Sequence, residues 1–165
     1  MQLQQQPPLH LTYCLNIHPG ETWAEQFTAI RQKALEVKKL VAPNRPFGLG
    51  LRLSRQAADA LAGRPRRADL RKFLDDHGLY VFTINGFPYG QFHGTRVKEQ
   101  VYAPDWRAPA RREYTMLLAD ILADLLPAGA SGSISTVPVA FRAWIAGPAD
   151  LKAAVANLDD CASRL

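Results

Sequence analysis

The sequence predicts an α/β fold: a partial (β/α)8 barrel of about four parallel βα units. Two observations carry this. Short apolar, β-branched runs alternate with segments whose apolar residues recur at steps of three and four, giving the order β-α-β-α-β-α-β-α. Polar residues collect where each strand-like run stops: Asn16 and His18, Arg52 and Ser54, Asn85, then Ser135 and Thr136. Alternating elements require parallel strands joined by right-handed crossovers, and in a barrel the strand ends share one rim, where chemistry is placed.

The first strand is read over Leu9–Ile17, where Leu9, Leu11, Tyr13, Leu15 and Ile17 alternate with more polar residues. Residues 1–8, with a run of glutamines and two prolines, are expected to be a disordered tail ahead of a barrel half spanning 9–165. His18-Pro19-Gly20 is a turn signal, and Thr22-Trp23-Ala24-Glu25 fits a capping box. Trp23, Phe27, Ile30, Ala34, Val37 and Val41 then lie on one helix face, which Pro43 and Pro46 stop. Phe47–Leu53 is the second strand, and Ser54 can cap the next helix. Gly63-Arg64-Pro65 breaks that helix in two, and Gly78 suits its C-terminal left-handed position.

Leu79–Ile84 is the third strand, composed for burial on both faces. It opens into Asn85-Gly86-Phe87-Pro88-Tyr89-Gly90-Gln91-Phe92-His93-Gly94 and a connection reaching roughly Pro104. Ordinary βα loops need only about 2–6 residues, so the length points to a site. Pro109 opens a helix with Tyr114, Leu117, Leu118, Ile121 and Leu125 as its buried stripe. Ser133–Val139 is the fourth strand. Pro148 starts the last helix, with Leu151, Val155, Leu158, Ala162 and Leu165 on one side.

The totals narrow the function. Of 165 residues, 47% are hydrophobic and 21% charged, an ordinary globular composition with room for one core. No stretch is long and apolar enough to span a membrane, and no signal peptide is evident, so a cytoplasmic protein is expected. Cys14 and Cys161 are too few for a disulfide framework or metal cluster, and Cys14 is expected to be a small buried hydrophobe. Part of the +5 net charge lies in Arg52, Arg55, Arg64, Arg66, Arg67, Arg71 and Lys72. Without interleaved aromatics, this run reads as a solvated helix face, and nucleic acid is an unlikely partner. A doubly wound sheet would carry a glycine-rich phosphate loop after its first strand; His18-Pro19-Gly20-Glu21 is not one.

The run Leu11-Thr12-Tyr13-Cys14-Leu15-Asn16-Ile17-His18-Pro19-Gly20-Glu21-Thr22-Trp23 resembles the opening of the EboE-type metabolite traffic proteins. These are xylose-isomerase-like TIM barrels of bacterial secondary metabolism. Phe47–Ser54, Leu79–Gly90, Phe92-His93-Gly94, Val97-Lys98, Val101–Trp106 and Gly132–Pro138 continue the resemblance over nearly the whole chain. A complete barrel needs eight βα units, so about four correspond to an N-terminal half. The resemblance implies a small biosynthetic precursor bound at the rim for transfer toward the cell envelope, with other proteins of the same cluster as partners. His18, Arg52, Asn85, Tyr89, His93, Lys98 and Thr136 are the candidate binding residues. No catalytic residue is assigned and no cofactor is evident; a divalent metal is expected only in a full-length barrel. The alternative is a sugar isomerase or epimerase whose metal site a further C-terminal half would complete. Bare first and fourth strands would leave sheet edges open to self-association.

Overall fold

The computed structural model describes residues 1–94 and 98–165; Val97 of the Val97-Lys98 pair lies outside the described residues. Four parallel strands form the central sheet in sequence order: β3 (Thr12–Cys14), β4 (Phe47–Arg52), β5 (Leu79–Asn85) and β6 (Ser133–Ser135). Their order and direction are those of consecutive βα units. A mixed α/β fold with a four-stranded parallel sheet is therefore present.

Helices follow each strand. Thr22 and Glu25 form the expected reciprocal cap on α1 (Trp23–Ala29). That helix runs through a π-helical turn, Ile30–Ala34, into α2 (Leu35–Val41). The Ser54 hydroxyl accepts from Ala57 N at the start of α3 (Arg55–Ala60). The break at Gly63 separates it from α4 (Arg64–Asp76), and Gly78, at φ +61°, takes the left-handed turn that follows. α5 (Pro109–Leu125) and α6 (Pro148–Ala162) each begin with proline.

The strand pleat sorts the residues. Leu49, Leu51, Val81 and Ile84 face the helices and join Ile30, Ala34, Leu70, Leu74, Tyr114, Leu118 and Ile121 in the main core. The opposite face carries Thr12, Cys14, Gly50 and Thr83, with Cys14 Sγ, Thr83 Cγ2 and Thr12 Oγ1 crowded around the position a Gly50 Cβ would take. It continues through two cross-strand pairs: the Ser133 hydroxyl donates to Thr83 Oγ1 (2.9 Å) and the Ser135 hydroxyl to Asn85 Oδ1 (3.0 Å). Cys14, Ser133 and Ser135 are exposed there.

Several expectations change. Residues 1–8 are not wholly a disordered tail: β1 (Gln2–Gln4) pairs antiparallel with β2 (Leu9–His10). The first sheet strand is accordingly short. Leu9-His10 pairs in that hairpin and Leu15–Ile17 forms a 3-10 turn, so Leu9, Leu11 and Ile17 are exposed despite their alternation. The hairpin lies against the lower part of the polar face, where the His10 ring meets Tyr80 and Phe82. The fourth strand stops at Ser135 because Trp106 takes the next carbonyls: its indole N–H donates to Val137 O and its backbone N–H to Val139 O. Cys14 is exposed, not buried, because its face of the sheet is uncovered. On α6, Ala154 and Cys161 are the buried positions, packed near Trp106, Val137 and Met116, while Leu151 and Val155 stay 48% and 63% exposed.

The basic segment is largely neutralised in place. Arg55–Asp59, Arg71–Asp75 and Lys72–Asp76 are i,i+4 pairs, and buried Arg67 reaches Asp124 on α5 at 2.6 Å.

Gly86 has no room for a side chain, since a Cβ would stand 2.6 Å from Leu118 Cδ1 and 2.9 Å from Ser135 O. Gly86→Ala is expected to destabilise the fold by about 1–3 kcal/mol, read from the urea midpoint at unchanged slope. A shift of only a few tenths of a kcal/mol would show that the β5–β6 junction yields freely.

Candidate functional site at the strand ends

Because all four strands run the same way, their C-terminal ends lie along one rim. The register sets Arg52 beside Asn85 and Asn85 beside Ser135. Thr136 follows directly, exposed. His18 ends the turn after β3.

Arg52 organises this rim from below. Its side chain is fully buried. It donates to Gly20 O (2.8 Å) and Gly90 O (2.6 Å), and pairs with Glu21 at 3.0 Å. Phe92 covers the guanidinium at 5.0 Å. The Ser54 hydroxyl donates to Glu21 O. The loops after β3, β4 and β5 are thus held together by one cation. Both Nη atoms are engaged by the protein, while the buried Nε has no partner among the described residues, so Arg52 positions the rim rather than lining it.

His18 and His93 form the second group. The Tyr13 hydroxyl meets His18 Nε2 at 2.9 Å. Burial, then the nearby positive charges of Lys33 and His93, push the His18 imidazolium down from its ordinary 6.5. The two histidines come from loops on different strands, His18 after β3 and His93 after β5. His93 lies against the Phe92 ring, and its Nδ1 is buried without a hydrogen-bond partner among the described residues.

The third group is Asn85 with Ser135. Asn85 Oδ1 accepts from Phe87 N (3.2 Å) as well as from Ser135, so half of this amide closes its own loop. Tyr89 is half-buried against Tyr114, with Arg111 over both rings. It belongs to the rim's support. Lys98 is exposed, in a 3-10 turn (Lys98–Tyr102) with positive φ. Phe87 packs on Tyr102.

Sequence reasoning missed the supporting residues: Glu21, Tyr13, Trp106, Arg111 and Tyr114. Buried Arg111 donates to Pro104 O and Gly86 O, and the Tyr114 hydroxyl donates to Leu53 O, tying α5 to the loops. A stripe of apolar spacing hides such roles, because one Tyr or Arg inside it reads as ordinary helix surface or core.

Among the described residues, no three His, Cys, Asp or Glu side chains come close enough to share a metal ion. The donors at these four strand ends do not by themselves fit the divalent cage that a full-length barrel implies. A cleft of about 1110 Å³ opens at the opposite end of the strands, lined in part by Leu3, Pro8, His10, Tyr80, Phe82 and Leu125; none of the expected rim residues borders it. No helix among the described residues is long and apolar enough to cross a membrane. No protein-family model, curated protein or solved structure matches this chain.

Two outcomes follow. Arg52→Met removes the shared cation and leaves Glu21 and two carbonyls unpaired, so a loss of about 3 kcal/mol is expected in denaturant unfolding, with faster proteolysis in the loops after β3 and β5. Unchanged stability would assign the loops another anchor. Second, the unfolded chain binds a proton at His18 more readily than the folded one. Stability is therefore expected to fall as pH drops below 6.5 toward the lower folded value. His18→Gln should flatten that part of the pH profile; an identical slope in the variant would place the titration elsewhere.

Proposed function

We propose that this chain is a metabolite-handling protein of the EboE type. In this reading it binds a small biosynthetic precursor at the strand-end rim of a xylose-isomerase-like barrel, for transfer toward the cell envelope. It acts in the cytoplasm, alongside other proteins of its biosynthetic cluster. The support is the resemblance carried by the strand-end motifs, together with one structural observation: the loops that carry His18 and His93 are both tied to buried Arg52, through Gly20 and Gly90. Convergent polar groups on rigid elements are what a small-molecule site requires. His93, Thr136 and the free side of Asn85 would supply hydrogen bonds, and the Phe92 edge an apolar contact.

The rim geometry chooses the test. Asn85 holds its own loop, so Asn85→Ala is expected to cost about 1 kcal/mol of stability in addition to any effect on binding. His93→Ala and Thr136→Ala are cleaner. In calorimetric titrations with a panel of aromatic carboxylates and polyols, each should weaken the best binder about tenfold, with stability within about 0.5 kcal/mol of the parent. Lost stability with unchanged affinity would make these residues structural, and no binder in the panel would remove the reading for those chemical classes.

A further inference from the structure

We infer that the cleft at the N-terminal ends of the strands is a second small-molecule site, one that takes a flat aromatic ring bearing an acidic group. The inference is independent of what the rim binds. The cleft holds about 1110 Å³, just above the range of about 300–1,000 Å³ usual for ligand pockets. Its walls come from inside the fold. β6 pairs with β5 only from Thr83 onward, so Pro127–Ser131 passes Leu79–Phe82 without strand pairing and stands off as one wall. The β1–β2 hairpin is another. It is held by Leu11 N donating to Met1 O (2.8 Å), by Arg45 Nη2 donating to Gln2 O (3.0 Å) and by the hydrogen bond between His10 Nδ1 and the Tyr80 hydroxyl (2.9 Å). The end of α4 adds Leu74 and Asp75. No described residue of the outer strands β3 and β6 borders the cleft, so it owes nothing to their unpaired edges.

The lining selects the ligand. Three rings meet there. Tyr80 and Phe82 are stacked with centroids 5.8 Å apart, and His10 meets Phe82 at 4.9 Å and Tyr80 edge-on at 5.7 Å. Leu3, Pro8, Leu79 and Leu125 extend the apolar surface around them. A flat ring gains both area burial and offset or edge contacts on such a surface. The charged side chains bordering the cleft are Arg45, Arg71 and Asp75. Arg71 and Asp75 neutralise each other at 3.0 Å. Arg45 donates from Nη2 to Gln2 O and, among the described residues, pairs with no carboxylate. An unspent cation therefore stands beside an aromatic surface. A carboxylate, sulfonate or phosphate on the ring would complete it, because the guanidinium fork can take two such oxygens at once. A neutral ligand would leave Arg45 unused, and an aliphatic chain would forgo the ring contacts.

Fluorescence titration of the full chain with anilinonaphthalene sulfonate, an aromatic ring system with an acidic group, tests this beside its uncharged relative phenylnaphthylamine. Saturable binding of one sulfonate per chain is expected under conditions where urea unfolding stays cooperative. Arg45→Gln, at an exposed position, should weaken the sulfonate about tenfold and leave the uncharged probe within about twofold. Phe82→Ala should weaken both probes about tenfold. Leu3→Asp, on the exposed hairpin, should weaken the sulfonate about tenfold without altering the parallel sheet, so the test does not hang on whether Phe82→Ala folds. His93→Ala should change neither probe, which separates this cleft from the rim. Absence of saturable sulfonate binding, an affinity unchanged by both Arg45→Gln and Leu3→Asp, or an affinity lost in His93→Ala would each overturn the proposal.

Discussion

Everything in this molecule depends on the parallel pairing of Phe47–Arg52 with its two neighbours. The strand is buried along its whole length, and its register with β5 runs from Phe47 opposite Leu79 to Arg52 opposite Asn85. Parallel direction has a consequence that antiparallel pairing would not: every strand ends at the same edge. Loops rooted far apart in sequence then meet, and a side chain at one strand end can serve several of them. The pleat adds a second consequence: with one irregularity, where the β4–β5 register shifts between Leu49 and Gly50, it turns Leu49, Leu51, Val81 and Ile84 to the core face and leaves Thr12, Cys14 and Thr83 on the other.

Arg52 shows how burial redirects a charged residue. A guanidinium excluded from water must find its partners within the protein. Here they are two carbonyls and Glu21, from the loops after β3 and β5. Arg111 does the same for the long connection after β5 through Pro104 and Gly86. The rim is therefore preorganised by cations beneath it, which leaves the less committed groups, His93 and Thr136 among them, at its surface. Trp106 completes the arrangement by binding the carbonyls of Val137 and Val139, which draws the chain after β6 out of the sheet and toward α6.

Local signals were legible where the physics is local. The Thr22–Glu25 capping box, the Ser54 cap, the Gly78 turn and the proline-initiated helices all stand where short-range sequence places them. The alternation in Leu9–Ile17 misled because period two specifies an extended chain but not its partner. Leu9-His10 pairs with the N-terminal strand, and the polypeptide turns before Ile17. Cys14 misled similarly: an apolar neighbourhood in sequence says nothing about whether its face of the sheet is covered. On α6 the stripe of Leu151 and Val155 is regular, yet the second core closes on Ala154 and Cys161 instead.

The sequence alone determined the alternation of strands and helices, the starts of the capped and proline-led helices and the gathering of polar residues at strand ends, because hydrophobic period and capping chemistry act over a few residues. Tertiary structure decided which of those polar residues remain available. Arg52, Tyr89 and half of Asn85 are committed to holding loops, while His18 takes the Tyr13 hydroxyl and His93 rests on Phe92. The reason is that hydrogen-bond satisfaction and burial are settled between segments brought together only by folding, at separations that no sequence period encodes.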